Sequence, residues 1–115
     1  MSKYFKEHET ACKCGCGFNE QNQELYDILD ELREHFGAPV TLTSGNRCPT
    51  HNREEGGSRY SQHIFGRAVD MKVKGISPLE VYTYLDELYP LSKGIGLYHN
   101  RVHFDVRKGQ ARWSV

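Results

Sequence analysis

Three side chains in this sequence have types and spacing that could hold a metal: His63, Asp70 and His103. Two segments carry them in a telling way. In one, Val69, Met71 and Val73 alternate with Ala68, Asp70 and Lys72; in the other, Val102, Phe104 and Val106 alternate with Arg101, His103, Asp105 and Arg107. Side chains alternate faces along a strand, so each segment reads as a strand with an apolar face for the core and a polar face opposite. Placed side by side, the two strands would project Asp70 and His103 from the same side of a sheet. His63 would enter from the loop just upstream, with Gly66 allowing the chain to turn sharply before the strand. Two imidazoles and one carboxylate with a fourth position open compose a catalytic zinc site. Zinc there lowers the pKa of a bound water toward neutrality and polarises a carbonyl, as amide hydrolysis requires. The same residues are equally compatible with a loop histidine and two solvated side chains on an open sheet face, and spacing alone does not choose.

The elements that would position these groups can be read from periodicity. Leu25, Ile28, Leu29, Leu32 and Phe36 form one apolar stripe, predicting a helix over 20–36 with Asn19 as N-cap and Gly37 and Pro39 as its stop. Val40–Ser44 is a short β-rich run ending in a turn at Gly45-Asn46, and 48–62 reads as loop with at most one helical turn. A strand follows over Arg67–Val73. Ser77, Pro78 and Glu80 have the order of a capped helix start, and that helix should end near Tyr89, before Pro90. Gly94–Tyr98 and Arg101–Arg107 are predicted as a last pair of strands around a turn at His99-Asn100, followed by a tail around Trp113. Helices and strands without regular βαβ alternation imply an α+β domain with two main helices and a small, mostly antiparallel sheet.

With 115 residues the chain is expected to form a single domain spanning 1–115. Acidic and basic residues number 15 each, which gives no electrostatic reason to expect nucleic acid or an anionic membrane as partner. No apolar stretch approaches the length of a spanning helix, and nothing suggests an obligate partner, so a monomer is expected. Cys12, Cys14 and Cys16 lie in a tight run and Cys48 far along the chain, a pattern unlike that of disulfide-stapled domains. Cys48 and His51 have metal-ligand spacing, so a second, structural zinc stands as an alternative to a disulfide or plain buried thiols.

Several segments resemble one family. Ser61-Gln62-His63-Ile64-Phe65-Gly66-Arg67-Ala68-Val69-Asp70 matches the S-x-H-x-x-G-x-A-x-D signature of the zinc D-alanyl-D-alanine carboxypeptidases and related L-alanyl-D-glutamate endopeptidases. Val102-His103-Phe104-Asp105 is similar to the family's downstream V-H-x-D segment, and Thr43 to Pro49 to its S-G-x-R segment. A cysteine-glycine stretch near the start and Arg112-Trp113 near the end resemble the small phage and bacterial branch. The resemblance implies a hedgehog-type metallopeptidase fold, with His63, Asp70 and His103 as zinc ligands. It implies that Arg47 binds the substrate carbonyl and stabilises the oxyanion, a task suited to a forked cation. Ser61 and Gln62 would contact the substrate or shape the loop.

One position departs from the pattern. Many relatives carry a glutamate or aspartate three residues before the third ligand as general base; here that position is Asn100, which cannot take a proton. Asp105 and His99 are the remaining candidates, with Asp105 preferred to His99; Asp105 has a second possible role, accepting from a ligand histidine or pairing with an arginine. Tyr60, Phe65, Tyr98 and Trp113 could line a substrate groove or pack as core. The expected function is zinc-dependent hydrolysis of an amide bond in peptidoglycan stem or cross-link peptides. The alternatives are a binding module that keeps zinc with little or no turnover, and a structural domain built on the cysteines. The N-terminus has no apolar segment of the signal-peptide kind. Synthesis in the cytoplasm and holin-type release, or carriage on a virion or fused protein, is then the expected route to the wall.

Overall fold

The computed structural model describes residues 2–5, 9, 22–45 and 67–115. Among them the helix α1 spans Gln23–Phe36, β1 Val40–Ser44, β2 Ala68–Val73, α2 Pro78–Leu88, β3 Gly94–Leu97, β4 Val102–Asp105 and β5 Ala111–Ser114. The five strands form one sheet in the order β1-β2-β4-β3-β5, antiparallel throughout except where β5 runs parallel to β3. Among the described residues this is an α+β fold with two main helices and a mostly antiparallel sheet, as the sequence implies.

Local chemistry sets the helix ends. The side chain of Asn22, not Asn19, caps α1, accepting from the Glu24 N–H at 2.8 Å. The helix accordingly starts at Gln23 rather than residue 20. Both asparagines have cap chemistry, and an apolar stripe that begins at Leu25 cannot tell which one closes the first turn. Gly37 ends the helix at φ 59°, a left-handed conformation natural to glycine, with its N–H on the Arg33 carbonyl. Ser77 caps α2 through the Glu80 N–H, with Pro78 in the first turn. Leu25, Leu29 and Leu32 of α1 and Val81 and Leu85 of α2 join Val69, Met71, Val102, Phe104 and Ile95 of the sheet in one buried core. Removing each large side chain from water contributes about 1.5–3 kcal/mol.

The C-terminal segment is a strand where the sequence suggested a tail, and the strands over 94–98, 101–107 and 67–73 are each shorter than the alternation predicts. Ala-Arg-Trp-Ser has no alternating pattern of its own; tertiary bonds make it a strand. Arg112 supplies many of them. Its guanidinium donates to the carbonyls of Tyr89, Ser92, Lys93 and Ala111 and to the Asp86 carboxylate. One side chain thus ties β5 to the connection between α2 and β3.

Arg112→Met should cost about 2–4 kcal/mol, because it leaves several part-buried carbonyls without a donor. Asp86→Ala should cost less than about 1 kcal/mol, since the Asp86 side chain is 46% exposed. Urea unfolding of both variants checks whether the carbonyls or the ion pair matter. Equal losses would count against the carbonyl account.

Candidate functional site

Sheet register assembles the site. Antiparallel pairing sets Asp70 of β2 opposite His103 of β4, and His103 opposite Gly96 of β3. Gly96 in turn pairs with Trp113 of β5. A two-residue step along the strands gives the next row, Ala68, Asp105, Gly94 and Ala111. Asp70, His103 and Asp105 are all buried although they stand opposite the apolar core face.

Each nitrogen of the His103 ring faces a carboxylate. Nδ1 lies 3.1 Å from Asp70 Oδ1 and Nε2 lies 2.7 Å from Asp105 Oδ2. Asp105 is fully enclosed, and Arg107 closes on it with a fork: Nε to Oδ1 and Nη2 to Oδ2, each 2.7 Å. The Arg107 main-chain N–H adds a bond to Oδ1. Burial alone would push the Asp105 carboxyl up, but the bonds and charges of His103 and Arg107 outweigh it and hold it well below the usual carboxylate range. For His103, burial favours the neutral ring, whereas bonding to Asp105 and Asp70 favours the charged one. The two carboxylates win and raise it above 6.5.

Two glycines make this possible. A Cβ at Gly94 would overlap the Asp105 carboxylate, and one at Gly96 would overlap the Trp113 indole. The indole lies over Gly96 and contacts His103, with ring centroids 4.9 Å apart, and its N–H donates to the Tyr98 hydroxyl at 3.0 Å. Arg101 stacks on the Tyr98 ring at 4.1 Å, with its Nε 3.9 Å from Asp70.

The Asp70–His103 pair fits a metal. With Nε2 donating to an ionised Asp105, Nδ1 presents a lone pair to the Asp70 oxygen, and two acceptors at 3.1 Å need a proton or a cation to hold them together. That separation is close to the ~3.3 Å between two ligand atoms of a tetrahedral zinc with bonds of ~2.0–2.1 Å. Among the described residues no group of three or more His, Cys, Asp or Glu side chains is arranged to hold a metal ion. The expected partner His63 lies outside them, as do Arg47, Ser61, Gln62, Tyr60, Phe65 and the group Cys12, Cys14, Cys16, Cys48 and His51.

Of the two candidates for a base, Asp105 turns both oxygens to His103 and Arg107. His99 is exposed beside Asn100 on the connection between β3 and β4, bordering a small cavity with Lys72 and Pro78. Sequence reading did not single out Gly94, Gly96 or the fork of Arg107. A Gly-x-Gly step within a strand, with both glycines on the face that carries Asp105 and His103, was the available signal.

The family model of Peptidase M15 matches residues 3–105, so the chain belongs to that family. The chain is thus a peptidase, and a metallopeptidase by the family's nature. Neither the curated proteins nor the solved structures include a significant match. Asp70, His103 and Asp105 fall within the matched residues; Arg107 and Trp113 fall after them.

Gly94→Ala should destabilise the fold by about 1–3 kcal/mol, because the pinned carboxylate cannot yield to a methyl group. Gly109→Ala, with open space around it, should be close to neutral. Thermal unfolding compares them, and equal melting temperatures would refute the crowding. A second expectation concerns pH. Because the folded-state pKa of His103 is raised, its proton stabilises the fold fully below about pH 6.5, and that contribution is lost as pH rises through the folded value. Urea midpoints in the presence of a chelator should therefore fall as pH rises above about 6.5, more steeply in the parent than in His103→Gln.

Proposed function

We propose that this peptidase is a zinc enzyme that hydrolyses an amide bond in the stem or cross-link peptides of peptidoglycan, either as an endolysin-type endopeptidase or as a D,D-carboxypeptidase. The observation that carries the reading is the buried His103 ring held between Asp70 and Asp105, with Nδ1 aimed at the Asp70 carboxylate. His63, Asp70 and His103 would hold the metal. Zinc bound there would supply the Lewis acid that acidifies a water and polarises the scissile carbonyl. Asp105 fixes the His103 ring and leaves no oxygen free for a water, which supports its role on the histidine rather than as base. That turns against the sequence preference for Asp105 as base and leaves His99 as the remaining candidate for moving the proton. Arg47 would bind the substrate carbonyl and stabilise the negative charge that develops on it, and Ser61 and Gln62 would contact the peptide.

A binding module that retains zinc with little turnover is the second reading. Asn100 favours it, since its amide carbonyl accepts from Arg101 at 3.2 Å and offers no titratable group. For either reading we place the protein at the cell wall, as a monomer that reaches it by holin-type release or on a phage particle.

Elemental analysis of protein purified without added metal tests the site. About one zinc per chain is expected, and loss of it in His103→Ala. Absence of zinc after reconstitution would sink the proposal, and zinc that survives His103→Ala would point to the cysteines. Purified cell walls should clear in the presence of the enzyme and stay turbid with a chelator. Zinc without clearing would favour the binding module.

A further inference from the structure

We propose that Arg107 and Trp113, both beyond the residues matched by the family model, are positioning residues for His103, so that the C-terminal segment belongs to the metal site. This inference rests on the reading of His103 as a ligand. Two contacts immobilise the imidazole from different directions. In the ring plane, Nε2 bonds to an Asp105 oxygen that Arg107 grips by a two-bond fork. The Trp113 indole packs beside the imidazole, with centroids 4.9 Å apart and the ring planes at 47°. The two braces also support each other, since the Arg107 guanidinium sits 5.6 Å from the indole centroid.

The function of the fork follows from burial. An arginine side chain 35% exposed would ordinarily form an ion pair of small consequence. Here its partner is a carboxylate with no exposure at all, and that carboxylate's other bond goes to the ring nitrogen opposite Nδ1. Without the fork, Asp105 would be a buried charge with too few donors, and it would swing away from the ring. That change removes the acceptor that keeps the Nε2 proton in place and Nδ1 toward Asp70. Lysine carries the charge but cannot make two parallel bonds. The role of Trp113 follows from Gly96. A side chain at that position would displace the indole, and the missing Cβ lets the indole cross β3 and reach His103.

Zinc affinity by chelator competition tests the assignment in the full chain, with His103→Ala as reference. Arg107→Gln should weaken zinc binding by roughly tenfold or more, in line with the loss seen when partners of ligand histidines are removed. Arg107→Lys should fall between it and the parent. Trp113→Leu should weaken binding several-fold, and Trp113→Phe, which keeps a ring against the imidazole, should restore most of it. In the zinc-loaded parent the His103 Nε2–H nitrogen resonance should be slow to exchange with solvent, and fast in Arg107→Gln. Circular dichroism of the metal-free variants separates folding from binding. Should Arg107→Gln fail to fold, Arg107→Lys decides. Parental affinity and slow exchange in any folded Arg107 variant would overturn the role of the fork, and parental affinity in Trp113→Leu that of the indole. Zinc bound as tightly by His103→Ala as by the parent would instead bring down the ligand reading beneath both.

Discussion

The central constraint on this molecule is a carboxylate with no access to water. Asp105 sits in the middle strand of a five-stranded sheet, and an ionised group there persists only if donors replace its hydration. His103 and Arg107 provide them, and Gly94 vacates the space the carboxylate occupies. The position of His103, the side from which Arg107 approaches and the absence of a side chain on β3 are all consequences of satisfying that one group. A network of this kind stabilises when every member is bonded and costs heavily when one is missing.

The same arrangement explains how a small sheet holds a buried polar row without losing its core. The row Asp70, His103, Gly96 and Trp113 crosses β2, β4, β3 and β5 on one face, while Met71, Val102 and Phe104 fill the other with α1 and α2. Strand pairing fixes the distance between side chains on neighbouring strands far more tightly than a loop would. Site geometry is therefore as firm as the sheet. The edge strand β5 takes part because Arg112 fastens it to the carbonyls of the Tyr89–Lys93 connection, which brings Trp113 over Gly96.

The M15 family match spans residues 3–105 and so includes Asp70, His103 and Asp105. The family match rests on residue identities up to Asp105. The geometry rests on bonds that continue past it, to Arg107 and Trp113.

Much of this was legible in the sequence. Alternation in 68–73 and 101–107 determined which face of each strand is polar, because the two-residue period of a strand leaves no other choice. The stripe from Leu25 to Phe36 and the Ser77-Pro78 start determined the two helices, since their signals are local. The motif segments determined the family. Tertiary structure decided the rest. Asn22 rather than Asn19 caps α1 because the cap is chosen by which side chain reaches a free N–H. The tail is a strand because a distant arginine and the edge of β3 supply bonds that Ala-Arg-Trp-Ser does not encode. The orientation of Asp105, toward His103 and Arg107, was open in the sequence because a carboxylate's role depends on which donors surround it, and only folding brings those donors within 2.7 Å.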